Sequence, residues 1–337
     1  MPTPILAALL ALCPTSDGPT WTTRVLVQTP TKLGGCAVGE LDPSSPGLEI
    51  AAVAQGGQCY VARRSGEGWS IEVVHRAPGE MIQCAVGELD SGAAGDEFVA
   101  VGMVEGSEND DAPGAAWVLA RRAGAWQAEL AFEGPRLVHA ACVLDGAAFV
   151  GGFDRRVTRL VRGTRGWERE TVAELPGAAK SMVAARGGVA VACTDGSVVL
   201  VSGAPGAWTS AVIDRRDAPR ARIGAAGDRL VVCDDDGVLS LLDGSTRRQV
   251  FRSPRKLRGA VLAELDPGSP GLEAATVGYS GELTVLSGLD ADAPRAVTPF
   301  VDAAGLHHLV AANLDDDPEL ELVTSGLSGL LVLLDLR

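Results

Sequence analysis

Short apolar runs recur along this chain, broken by polar turns, and they group in fours. The first run of a group is illustrated by Gln83–Gly87 or Ala260–Ala263, and a polar turn separates it from a second, such as Glu49–Ala54 or Arg229–Cys233. A tight turn follows, at Asp195-Gly196, Asp236-Gly237, Ser280-Gly281 and Ser328-Gly329, and leads into a third run rich in Val and Leu. Such Xaa-Gly pairs between apolar runs are hairpin signals, because glycine accepts the backbone twist of a tight reversal. The fourth run opens with Trp and ends near Pro: Trp69 to Pro78, Trp126 to Pro135, Trp167 to Pro176 and Trp208 to Pro219. Arg247 to Pro254 and Arg295 to Ala303 are weaker versions.

Four short antiparallel strands per unit of roughly 40–55 residues is the pattern of a β-propeller blade. First strands begin at Cys36, Cys84, Ala140, Ser181, Ala221, Ala260 and Leu309, which makes seven units. The last unit reaches Arg337 after only three strands, whereas Thr20–Pro30 has the Trp-to-Pro form of a fourth strand with no unit before it. The expected fold is all-β: a seven-bladed β-propeller of four-stranded antiparallel blades from Trp21 to Arg337. Its ring closes by lending the N-terminal strand to the last blade, so that no edge is left free at the seam. Five of the six tryptophans (21, 69, 126, 167 and 208) share the fourth-strand slot and are expected to pack, not to form sugar platforms.

Composition supports this picture. Aromatics are only 4 % and there are 42 glycines, which suits short strands and many turns. No stretch of about 18 apolar residues occurs, so no membrane-spanning helix is expected. A net charge of −14 repels nucleic acid and anionic lipid, so neither is an expected partner. The seven cysteines lack zinc spacing, and pairs such as Cys36 and Cys84 fall at equivalent repeat positions, so buried thiols are expected. Residues 1–13 read as an export segment: Ile5 to Cys13 is apolar, and Leu10-Ala11-Leu12-Cys13 has the form of a loose lipobox. Residues 14–20 follow as a tether, giving an extracytoplasmic protein that is periplasmic or lipid-anchored; a tail on a cytoplasmic protein is the alternative.

One phrase is written three times: CAVGELDPSSPGLEIAAV from Cys36, CAVGELDSGAAGDEFVAV from Cys84 and AVLAELDPGSPGLEAATV from Ala260. It resembles the FG-GAP or VCBS repeat, whose members are similar to the integrin-type propeller. The resemblance extends over units one, two, six and seven. It implies that the phrase supplies the first strand, first loop and second strand of a blade. It also implies calcium in loops of the form Asp-x-Asp-x-Asp-Gly. Here the loops starting at Asp42, Asp90 and Asp266 keep the first Asp and lose the later carboxylates. Calcium takes about six to eight oxygens, so no cofactor is expected at these loops. Only Asp315-Asp316-Asp317-Pro318-Glu319 stays carboxylate-dense, which makes Asp315, Asp317 and Glu319 the candidate metal ligands.

No nucleophile elbow, phosphate loop, dinucleotide fingerprint or HExxH occurs. In a propeller, the links between blades and the loops joining strands two and three share one face. The loops joining strands one and two lie on the other. The latter are acidic (Asp42, Asp90, Asp266, Asp315), whereas the links hold Lys32, Arg136, Arg255 and Lys256 together with most of the histidines. The residues just before the first strands are Gly35, Gln83, His139, Lys180, Arg220, Gly259 and His308, and they are expected to ring the mouth of the central channel. The candidate ligand-binding set is therefore Gln83, His139, Lys180, Arg220 and Arg222, joined by Arg258, Tyr279, His307 and His308. Solvated loop ends are the bland alternative. The expected function is a non-enzymatic binding or scaffold propeller. Its basic mouth takes an acidic small molecule, polysaccharide or protein surface, more tightly below about pH 6.5 as histidines gain protons. The rival is a lyase or hydrolase of acidic polysaccharide, with His139 or His308 and Tyr279 as acid–base groups and Arg220 or Lys180 neutralising a carboxylate.

Overall fold

Second strands such as Glu49–Ala54, Gly188–Cys193 and Glu273–Gly278 are buried at every position, whereas the outer strand Gly68–Arg76 has no fully buried one. A continuous apolar run suits a strand covered on both faces, and these strands lie in the middle of blades stacked against blades. The computed structural model describes residues 20–337 apart from 67, 105–110 and 316; the expected export segment and most of its tether lie outside the described residues.

The strands form seven four-stranded antiparallel sheets, the expected propeller. The inner strands are Leu33–Gly39, Met81–Gly87, Val138–Leu144, Ala179–Ala185, Arg220–Ala226, Leu257–Ala263 and Leu306–Ala312, for blades 1 to 7 in turn. Blade 7 takes its outer strand from the start of the chain. Trp21–Gln28 pairs antiparallel with Leu330–Leu336, from Trp21 opposite Leu336 to Gln28 opposite Leu330. Thr20 and Arg337 exchange both backbone bonds at one end, and Thr29 N–H donates to Gly329 O at 2.8 Å at the other. Trp21 packs against the core shared by blades 6 and 7, and Trp69, Trp126, Trp167 and Trp208 each pack against a core cluster of their own. The six described cysteines are buried and unbridged, and burial pushes thiols such as Cys59 and Cys142 up to about 12. They act as small hydrophobes.

The repeated phrase turns out to close its own loop. Glu49 Oε2 accepts the backbone N–H groups of Leu41 and Asp42, both at 2.9 Å. Glu97 does the same for Leu89 and Asp90, Glu273 for Leu265 and Asp266, and Glu321 for Leu314. The Asp of each phrase accepts from the backbone two residues on: Ser44, Gly92, Gly268 and Asp317. That is an Asx turn. Burial raises the carboxyls of Glu49, Glu97 and Glu321 to about 7 despite those bonds.

The inner strands start earlier than the sequence pattern suggests, and each carries a bulge near its start. In blade 5, Arg220 pairs with Asp234 and Arg222 with Cys233, skipping Ala221. Blades 2, 3, 4, 6 and 7 skip Ile82, His139, Lys180, Arg258 and His307 in the same way. Arg220 is thus the counterpart of Met81, Val138, Ala179, Leu257 and Leu306, all buried between blades. The expected ring of mouth residues is corrected accordingly. Arg222, two residues on, takes the axial place beside Gln83, Ser181, Gly259 and His308. Glycine is required where strands crowd: a Cβ on Gly34 would stand 2.3 Å from Ile82 O.

Deleting residues 1–17 should leave the melting temperature unchanged, whereas deleting through Pro30 should destabilise by several kcal/mol, since a whole ladder of bonds and the Trp21 packing go with it. Denaturant unfolding of the two truncations measures the difference; equal midpoints would refute closure by this strand.

Candidate functional site

Each inner strand begins at the face that carries the links between blades, so its bulge sits just inside that entrance. The bulge adds a residue and twists the strand, and here it presents two successive side chains near the axis. The Asp-Gly turns expected for hairpins rise on the same face, with Gly196 and Gly237 at φ of +87° and +82°. Their carboxylates decide the electrostatics. Asp235 pairs with Lys256 at 3.2 Å and with Arg258; Asp195 pairs with Arg215 at 2.7 Å; Asp236 pairs with Arg216 at 3.0 Å. Burial would raise the Asp235 carboxyl, but the bonds and charges of Arg258 and Lys256 outweigh it and hold it below the usual range. The basic face expected from the links is therefore neutralised in part at its rim.

Arg220 is fully buried, contrary to its expected place at the mouth. Its Nε donates to Gly196 O at 2.9 Å, its Nη1 to Asp234 at 2.9 Å, and its Nη2 to Asp214. Arg247 and Arg216 extend the network to Asp214 and Asp234. Every donor nitrogen has a partner, so Arg220 joins blades 4 and 5 and is not available to a ligand.

Arg222 is the opposite case. It is 3 % exposed, and among the described residues no carboxylate pairs with it. Its Nη1 donates to Lys180 O at 3.1 Å and to Ala221 O at 2.9 Å, while its Nε and Nη2 are buried without a partner. Burial, then the neighbouring Arg258 charge, pushes its pKa down to about 10, so it stays cationic at neutral pH. Its charge is felt across the channel at His139, His307 and His308.

The histidines are neutral. Burial first, then the charges of Lys180 and Arg222, holds His139 well below its ordinary value; burial and Arg222 do the same for His307 and bring His308 to about 3. Geometry agrees for His139. Its Nδ1 lies 3.1 Å from Lys180 O, which can only accept, and its Nε2 lies 2.9 Å from Lys180 Nζ, an ammonium that can only donate. A neutral ring with the proton on Nδ1 satisfies both. His308 Nδ1 accepts from Cys36 N–H at 3.3 Å, and its Nε2 lies 3.4 Å from the Gln83 amide. The expected gain of charge below pH 6.5 is thus overturned, because these rings are buried beside fixed cations. Tyr279 lies on the rim: the Arg258 guanidinium stacks 4.6 Å from its ring centroid, and Arg255 donates to its carbonyl. Among the described contacts, none joins Tyr279 to His139 or His308, the convergence that acid–base chemistry requires. A groove of about 450 Å³ between Asp235, Pro254, Lys256 and Tyr279 opens beside the mouth.

On the opposite face, Asp315, Glu321 and Asp335 bring carboxylate oxygens within 4.8 Å of one another. The expected ligands Asp317 and Glu319 do not join them; their backbone N–H groups continue the Asx turns from Asp315 and Asp317. The cluster has internal relief, since Thr22 and Arg337 donate to Asp335 and burial raises the Glu321 carboxyl to about 7. In blade 1 the place of Asp335, opposite the phrase Glu, is filled by Arg63, which pairs with Asp42 at 3.1 Å. Sequence spacing could not show this, because Asp335 comes from a third strand.

The chain matches no family model and no curated protein. It is similar in structure to the WD40 β-propeller domain of Doa1, at 12 % identity, covering 93 % of this chain and 97 % of that one with a TM-score of 0.66. It is also similar to the WD40 repeats of RRP9, at 13 % identity, with 94 % and 97 % covered and a TM-score of 0.69. The shared feature is the propeller fold.

Three outcomes are expected. Arg220→Ala should destabilise by several kcal/mol, because it removes the buried partner of Asp234 and leaves that carboxylate with Arg216 alone, whereas Arg222→Met should be neutral or stabilising in anion-poor buffer, as it removes an unpaired buried charge; urea midpoints compare the two. Imidazole ¹⁵N shifts of His139, His307 and His308 should read neutral rings at pH 5.5, where a solvated histidine is mostly charged. A chelator should move the melting temperature by less than about 2 °C, because the loops are braced by Glu and Arg and bound calcium would add its mass-action stabilisation; a larger drop restored by calcium would overturn this.

Proposed function

We propose that the protein is a non-enzymatic scaffold propeller that receives an acidic segment of a protein partner at the axis of its entry face. The observation that carries this is the Arg222 guanidinium, buried and, among the described residues, without a counter-charge where Arg220, Arg216 and Arg258 all have one. An unpaired buried charge is costly, and an incoming carboxylate would remove that cost. Lys180 and the neutral histidines surround it, and the groove beside Tyr279 offers a floor for the flanking chain. The likeness to WD40 propellers, which typically act as protein-interaction scaffolds, supports the same reading by analogy.

The reaction-centred alternative would need Tyr279 and a histidine on one substrate atom, and an acidic oligosaccharide serves as its probe. The test is fluorescence anisotropy with a labelled oligo-glutamate peptide. Binding is expected to weaken steeply with salt, to stay level between pH 6 and 8, and to fall at least tenfold in a Lys180→Ala/Arg222→Met double variant. No binding by wild type, or equal binding by the double variant, would refute the proposal; turnover of the oligosaccharide would favour the enzyme.

A further inference from the structure

We infer that Arg222 forms a discrete subsite for one planar, carboxylate-sized anion inside the channel, set below the rim on which a partner would rest. This deepens the docking proposal and rests on it for the source of the carboxylate, namely an acidic side chain or a free C-terminus of the partner.

The guanidinium offers two edges. Its Nη1 is held by two backbone carbonyls, those of Lys180 and Ala221, which fix the plane of the group. The remaining Nε and Nη2 lie side by side on the other edge, and these are the two atoms without a partner. Parallel N–H donors on a fixed guanidinium match the two oxygens of a carboxylate, giving two charge-assisted bonds at once. Both atoms lack accessible surface in the unliganded chain, so an anion must displace a neighbouring side chain to reach them, which favours a small planar anion over a bulky polyanion. The charges acting on Arg222 are dominated by Arg258, with Asp235 a lesser influence that is itself tied to Arg258 and Lys256.

The neighbours have assignable roles. His139 spends its Nδ1 proton on Lys180 O and its Nε2 lone pair on Lys180 Nζ, so it acts as a positioning residue for the strand that anchors Arg222. His307 Nδ1 is buried and unpartnered, and a neutral ring can place its proton there as a third donor. Facing the site, Lys180 and Arg258 are cations and His139, His307 and His308 are neutral rings. A bound anion would raise the histidine pKa values and bring modestly tighter binding only well below pH 6.

The experiment uses the whole chain in a buffer free of carboxylates. Formate, chloride, phosphate and the oligo-glutamate peptide are titrated against wild type, Arg222→Lys, Arg222→Met and His307→Phe, with calorimetry and the Nε–Hε resonance of Arg222 as readouts. Formate should bind wild type in preference to phosphate and shift the Arg222 Nε–Hε resonance. Arg222→Lys keeps the charge and loses the fork, and should weaken formate at least tenfold; Arg222→Met should abolish it. His307→Phe should weaken it about threefold to tenfold. Equal affinity in Arg222→Lys, an unmoved resonance, or preference for phosphate would overturn the subsite. Peptide that binds wild type and Arg222→Lys alike would leave docking standing without the subsite, and formate binding without peptide binding would leave the subsite standing without the docking.

Discussion

Everything in this molecule depends on the seam between the first described strand and the last. Seven wedge-shaped blades must return to their start, and an open ring would leave a blade edge with unpaired backbone groups and an exposed core. Trp21–Gln28 supplies that strand, so residues more than 300 positions apart form one ladder. With the ring closed, the inner strands are pressed together around the axis, and glycine at positions such as 34 and 259 lets them approach. That crowding fixes where the bulges point their side chains.

The contrast between Arg220 and Arg222 shows how two residues of register separate structure from function. Both belong to one inner strand, both are arginine, and both are buried. Arg220 faces the seam between blades, where Asp234 and Asp214 meet it, and removing it would leave those carboxylates with Arg216 and Arg247 alone. Arg222 faces the axis, where carbonyls hold one edge and nothing holds the other. A buried ion pair adds little net stability, because desolvation of both charges offsets their attraction. An unpaired buried cation carries its desolvation cost with no offset, and this is the observation behind the proposed carboxylate subsite.

On the opposite face the chain braces its loops with its own side chains. The carboxylate of Glu49, Glu97 or Glu273 reaches back to the loop's backbone N–H groups, and an Asx turn tightens the rest. Arg63, Arg121, Arg122 and Arg162 then neutralise Asp42 and Asp90. Blade 7 departs from this, because Asp335 stands where blade 1 has Arg63.

The hydrophobic pattern by itself determined the blades, their number and the donor of the closing strand, because strand periodicity, Gly turns and Trp-to-Pro outer strands are local signals repeated seven times. It also determined that the thiols and tryptophans pack, since residues at equivalent repeat positions share one environment. It put Gln83 and His308 in the axial register, yet took His139 and Lys180 one position early and Arg220 two positions before Arg222. The bulge that shifts the strand is set by how neighbouring blades meet, and no window of sequence contains that contact. Only the tertiary structure decided that the histidines stay neutral, that the rim cations are paired with carboxylates of the Asp-Gly turns, and that Asp315 meets Glu321 and Asp335 in place of Asp317 and Glu319. Charge and protonation depend on distance and burial, and in a closed ring the nearest neighbours of a residue lie on strands far away in the chain.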